Sequence, residues 1–158
     1  MKHSQTVGAN YSGIDTKIAI VSARFNGDIV DALRVTAHQT LLDNGVNKTD
    51  IKHVYVPGAF ELPLACKALA ASGQYNAIIA LGCVIRGDTP HFDYVCTGSA
   101  LGIQQASLET NIPIAFGVLT TDNTEQALER SSTSNIKLNK GRDVALCALE
   151  MINVLKTL

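Results

Sequence analysis

The residues best suited to chemistry lie within one stretch, Leu81-Gly-Cys-Val-Ile-Arg-Gly-Asp-Thr-Pro-His91-Phe-Asp-Tyr-Val95. His91 carries an imidazole that can give or take a proton near neutral pH. It follows Thr89, a hydroxyl donor, and Pro90, which suits the first turn of a helix. Backbone N–H groups freed at a helix start, with the positive end of its dipole, favour an anion such as phosphate. A proton-transfer group beside an anion cradle describes a reaction centre. Taken alone, the same residues fit equally well a plain turn with Asp88 or Thr89 as the cap and His91 in solvent.

The elements that hold this stretch decide between the two. Ala77–Leu81 reads as a buried strand running into a loop that contains Gly82 and Gly87, and the helix after it is expected to continue through Leu108 until Asn111 and Pro113 close it. Before it, Lys17–Ser22 is a short β-branched run expected as a strand covered on both faces. Ile29, Leu33, Ala37 and Leu41 then repeat at helical spacing until Asn44-Gly45. Ile51–Val56 is a second strand, followed by Pro57-Gly-Ala-Phe-Glu61 and a helix over Leu62–Ala71. Ile112–Leu119 is the fourth strand. After it, Asp122 and Glu125 match the spacing of a capping box ahead of a helix over Thr124–Arg130. A polar loop from Ser131 to Gly141 leads to a last helix over Val144–Leu158.

Four alternations of strand and helix imply a parallel sheet with helices on both faces: an α/β three-layer sandwich, four-stranded and flavodoxin-like. Residues 1–16 read as an irregular N-terminal arm, ordered against a neighbouring subunit, and residues 17–158 as a single domain. All four strand-to-helix loops then meet at one edge of the sheet, where ligands bind in such folds. They carry Phe25 and Asn26, Gly58 to Glu61, Gly87 to His91, and Thr120-Thr121. Phe25 and Phe60 could stack on a flat heterocycle, or act as hydrophobic staples. Glu61 could bind sugar-like hydroxyls, or simply favour a helix N-terminus.

Composition narrows the classes. A net charge of −1 with scattered Lys and Arg argues against a nucleic-acid surface. Cys66, Cys83, Cys96 and Cys147 form no CxxC pair and read as reduced thiols of a cytoplasmic protein. The first residues lack the apolar core of a secretory signal, and no apolar run reaches membrane-spanning length. No GxGxxG follows the first strand, and no GxxxxGK[ST] occurs. The first strand ends Ser-Ala-Arg, without the acidic cluster of a receiver domain. No metal-ligand spacing and no nucleophile elbow is present, and His3, His38 and His53 are expected to have no catalytic role. The last helix carries a wider apolar face than a surface helix needs, which predicts an oligomer.

Six segments, in order, carry a family resemblance: Ala23-Arg-Phe-Asn26, Val56-Pro-Gly-Ala-Phe-Glu-Leu-Pro63, Leu81 to Val95, Phe116-Gly-Val-Leu-Thr-Thr121, Glu125-Gln-Ala-Leu-Glu-Arg130 and Asn139-Lys-Gly141. Over nearly its whole length the chain resembles the lumazine synthases of riboflavin biosynthesis. The resemblance implies a cofactor-free condensation of 5-amino-6-(D-ribitylamino)uracil with 3,4-dihydroxy-2-butanone 4-phosphate, giving 6,7-dimethyl-8-ribityllumazine, phosphate and water. By motif, Phe25 beside Asn26 stacks on the pyrimidine. Ala59, Phe60 and Glu61 hold the ribityl chain and ring edge, with Cys83, Val84 and Ile85 alongside. Asp88 and Thr89 line the phosphate position, Arg130 supplies charge to it, and His91 transfers protons.

The resemblance further implies a homo-oligomer built from pentamers, with Phe116, Arg130 and Lys140 entering each site from the adjacent subunit. The connection Ser132–Gly141 is longer than the family's usual run and lacks its early glycines, and this connection bears on whether pentamers stay single, pair or close into shells. A non-catalytic flavin- or lumazine-binding module, or a riboflavin synthase on the same fold, is the alternative. The joint presence of His91 and Arg130 favours chemistry on a phosphorylated substrate.

Overall fold

A computed structural model describes residues 8–158. Four parallel strands, β1 (Ile18–Ala23), β2 (Ile51–Val56), β3 (Ala77–Ile85) and β4 (Ile114–Thr121), form one sheet in the order β2-β1-β3-β4. Helices α1 (Gly27–Asp43), α4 (Thr124–Arg130) and α5 (Lys140–Leu155) contribute Leu33, Ala127 and Leu149 to the core on one face. Helices α2 (Leu62–Ala71) and α3 (His91–Thr110) contribute Leu62, Cys66 and Ile103 on the other. This is the three-layer α/β sandwich that the alternation predicts.

Burial follows strand position. β1 is buried at every residue and β3 over its first seven, because helices cover both faces of these central strands. The edge strands are less covered, with Lys52 and Tyr55 exposed on β2 and Phe116 and Thr120 on β4. The order reverses between β1 and β3, whose chains lead away to opposite sides, and a crevice opens where their carboxyl ends diverge.

Four boundaries differ from expectation. β3 continues to Ile85, so Gly82 pairs with Val118 inside the sheet instead of lying in a loop. A Cβ there would stand 3.3 Å from Leu62 Cδ1 and 3.4 Å from Ala59 Cβ, so this glycine lets β3 pass close under α2. β4 is shifted towards its carboxyl end and takes in Thr120 and Thr121. The cap of α4 is Asn123, not Asp122: its side chain accepts the Gln126 N–H at 2.9 Å, while Gln126 Oε1 accepts the Asp122 N–H at 2.8 Å. Finally, α5 begins at Lys140, capped by Asn139.

The segment ahead of β1 is irregular, yet residues 10–16 are fastened to their own chain. Gly13 N–H donates to Asn44 O at 2.8 Å, and Asn153 Nδ2 donates to the carbonyls of Asn10 and Ser12 at 3.1 and 3.0 Å. The expectation that they order only against a neighbour is corrected for these residues; residues 1–7 lie outside those described. No helix among the described residues is long and apolar enough to cross a membrane.

Candidate active site

A cavity of about 630 Å³ opens at the crevice beyond β1, β2 and β3. Its wall begins with Phe25, directly after β1. Phe25 N–H donates to Pro57 O at 3.1 Å and Arg24 N–H to Val56 O at 2.8 Å, which ties the end of β1 to the loop after β2. Asn26 then takes a left-handed conformation, φ 56°, which asparagine tolerates better than most residues. Its Nδ2 donates to Cys83 O at 2.8 Å, so it ties the turn to β3 without lining the cavity itself.

Ala59, Phe60 and Glu61 form a short 3₁₀ turn that leads into α2, and all three line the cavity. Ala59 is buried, while Phe60 and Glu61 are exposed. Phe60 lies against α3, where Gly98 leaves room: a Cβ on Gly98 would stand 2.5 Å from Phe60 Cε2. Gly58 leaves room in turn for the Glu61 carboxylate.

Cys83, Val84 and Ile85 supply the wall because β3 runs on past Gly82. Burial pushes the Cys83 thiol up to about 11, so at neutral pH it is a neutral wall group and not a nucleophile.

Gly87, Thr89 and His91 close the far side. Among the described residues, no partner takes the backbone N–H groups of Gly87, Asp88 and Thr89. They stand just ahead of α3, whose dipole adds positive potential. Thr89 Oγ1 accepts the His91 N–H at a long 3.4 Å. The imidazole is exposed and hydrogen-bonds to no described residue. Asp88 is exposed and does not line the cavity. Phe92, Tyr94 and Val95, which sequence reasoning missed, also line it. Their spacing from His91 on one helix could have revealed Tyr94 and Val95, at i+3 and i+4.

Three expected site residues stand elsewhere on their own chain. Phe116, on β4, pairs with Ala80 of β3 near the strand's amino end, and is 44% exposed. Arg130 ends α4, where its Nη1 donates to Gln126 O at 3.1 Å and lies 3.7 Å from Glu129 Oε2. Lys140 Nζ sits 3.0 Å from Asp143 Oδ2. None lines the cavity. Among the described residues, no group of three or more His, Cys, Asp or Glu could hold a metal ion.

A cavity with apolar and aromatic walls on one side, and unpaired N–H groups, a hydroxyl and an imidazole on the other, suits a flat ring and an anionic partner held together. That arrangement is built by the segments whose order resembled one family. Residues 15–156 match the model for 6,7-dimethyl-8-ribityllumazine synthase, and the chain therefore belongs to that family of transferases of riboflavin biosynthesis.

Proposed function

We propose that this protein condenses 5-amino-6-(D-ribitylamino)uracil with 3,4-dihydroxy-2-butanone 4-phosphate to 6,7-dimethyl-8-ribityllumazine, releasing phosphate and water. The observation that carries the reading is the convergence of Phe25, Glu61, Thr89 and His91 on one cavity. Phe25 stacks on the pyrimidine, with Asn26 holding the turn beneath it. Ala59, Phe60 and Glu61 take the ribityl chain and ring edge, and Cys83, Val84 and Ile85 form the wall behind. The phosphate lies on the N–H groups of Gly87 to Thr89 and on the Thr89 hydroxyl. Asp88 contributes its N–H there while its carboxylate stays in solvent.

One ring-side amine attacks the ketone, the carbinolamine loses water, phosphate leaves, and the second amine closes the ring with loss of a second water. His91 moves the protons of these steps. No step needs an oxidant or a cofactor. Holding two substrates in register supplies up to about 7–11 kcal/mol, whereas one general acid or base supplies about 10²–10⁴-fold, so positioning dominates.

The charge for the phosphate comes from the Arg130 of a neighbouring subunit, with Phe116 and Lys140, in a cytoplasmic homo-oligomer built from pentamers. Its support is the exposed apolar surface of the single chain: Leu64, Leu101 and Leu108 on α2 and α3, and Met151, Val154 and Leu155 on α5. The test is to mix the protein with both substrates and follow lumazine fluorescence together with released phosphate. Fluorescence and phosphate appearing in step are expected. Binding of product without turnover would instead mark a non-catalytic flavin- or lumazine-binding module.

A further inference from the structure

Arg86 sits between two cavity-lining residues, Ile85 and Gly87, yet does not line the cavity itself. Its backbone N–H donates to Thr121 O at 2.8 Å. Its Nε donates to Asp122 Oδ1 at 2.9 Å, its Nη1 lies 3.6 Å from Asp93 Oδ1, and its Cζ stands 4.4 Å from the centre of the Phe92 ring. One guanidinium thus joins the end of β4 to the two residues that follow His91. The β4 side is itself anchored, because Gln126 on α4 accepts the Asp122 backbone N–H.

Little else holds the intervening loop. Residues 86–91 are all exposed. Among the described residues, the loop's own bonds are only the 3.4 Å bond from His91 N–H to Thr89 Oγ1 and a 3.0 Å bond from Asp93 N–H to Pro90 O. Such a segment opens easily unless something pins it from outside. A planar guanidinium can stack on a ring and bond a carboxylate at the same time, which an ammonium cannot reproduce.

We propose that Arg86, clasped by Asp122 and stacked on Phe92, is a positioning residue that holds Thr89 and His91 at the cavity for the condensation; this rests on the function proposed above. Arg86 is not the anion's ligand. Asp122 and Asp93 already face its charge, and its side chain stands outside the cavity that its two neighbours line.

The test compares Arg86→Gln, Arg86→Lys, Asp122→Ala and the double variant Arg86→Gln/Asp122→Ala in the full chain. Both side chains are about half exposed or more, at 48% and 65%, so the variants are expected to fold. Arg86→Gln is expected to lower kcat about ten- to a hundredfold, the scale of a small misplacement at a reacting centre, with KM for the phosphorylated ketone changed less than about threefold. Asp122→Ala should fall in the same direction, Arg86→Lys should lie nearer to Arg86→Gln than to wild type, and the double variant should be no slower than Arg86→Gln. Amide exchange of residues 87–93 should quicken in both single variants Arg86→Gln and Asp122→Ala.

A large rise in that KM with kcat intact in Arg86→Gln, and no effect of Asp122→Ala, would make the guanidinium an anion ligand and overturn the proposal. Unchanged kcat and unchanged exchange would overturn it as well. Should the wild-type chain form no lumazine, the functional reading fails and not the clasp. Exchange alone then decides the clasp: quickening in both variants keeps it, and no change overturns it.

Discussion

His91 and the pair His38–His53 show how differently one residue type behaves in two settings. His91 stands exposed at the cavity with no hydrogen bond to its ring among the described residues, and in the proposed reaction it transfers protons to a substrate held by other groups. His91→Ala is therefore expected to lower kcat by about 10²–10⁴-fold at most while leaving residual turnover, with KM for both substrates little changed. Single-turnover rates check this, and complete loss of activity with binding intact would reverse the ranking of positioning over proton transfer.

His38 and His53 instead face each other, with Nδ1 of the first 2.9 Å from Nε2 of the second. Both titrate below the ordinary histidine range: His38 through burial and then the charges of Arg34 and Lys48, His53 through burial and then His38 and Arg34. One proton between these two nitrogens makes the contact a hydrogen bond, and a second would set two donors against each other. In the unfolded chain each ring protonates near the ordinary value of about 6.5, so below that pH the unfolded state binds more protons and stability falls. Their contribution is complete above that value and is lost as the pH drops. Tm is expected to decline as the pH falls below about 6.5, and His53→Gln to flatten that decline. An identical slope in the variant would show that other groups set it. Sequence spacing singled out His91 because its neighbours form a pattern. It could not reveal the His38–His53 contact, which joins α1 to β2 across the fold.

At the scale of elements, Asn139 explains why Asn139-Lys-Gly141 stands out. Its Oδ1 accepts the Gly141 N–H at 2.8 Å, its Nδ2 donates to Ser132 O at 3.1 Å and to Ala32 O at 3.4 Å, and the residue is fully buried. One side chain thus caps α5, braces the connection before it and touches α1. A Cβ on Gly141 would run into the Leu33 carbonyl oxygen, so only glycine lets α5 press this closely on α1. Asn139→Ala removes a cap and leaves the buried Gly141 N–H without its acceptor, for an expected loss of about 1–3 kcal/mol. Denaturant unfolding measures it, and a loss below about 0.5 kcal/mol would mean that water or Ser132 takes over the cap. Apolar periodicity placed the start of α5 at Val144, because its first turn, Lys140 to Asp143, is polar and shows no stripe. Glycine misled in the opposite direction at β3. Gly82 reads as the end of a strand, but it is there for the passage of α2 and the sheet simply continues. The element count and order were legible because burial on both faces writes long apolar runs. The ends were not, because they depend on neighbours distant in sequence.

At the scale of the whole molecule, the proposed site draws on residues that one chain does not bring together. The cavity gathers Phe25, the 59–61 turn, the end of β3, Thr89 and His91, while Phe116, Arg130 and Lys140 do not line it. The wide apolar face of α5 is legible in the sequence and supports the proposed oligomer. How many subunits close the ring depends on the angle between contact faces, which no local pattern encodes. If a neighbour's Arg130 completes each site, Arg130→Ala raises KM for the phosphorylated ketone, since it removes charge that the substrate's phosphate needs. The same geometry predicts complementation. His91→Ala and Arg130→Ala subunits, unfolded together and reassembled in equal amounts, should form about a quarter of their sites with an intact His91 facing an intact Arg130, because each site in a head-to-tail ring draws one half from each of two copies. Activity of the mixture should then exceed the mean of the two variants assembled separately. Were both residues to act within one chain, every site would carry one lesion or the other, and mixing would add nothing.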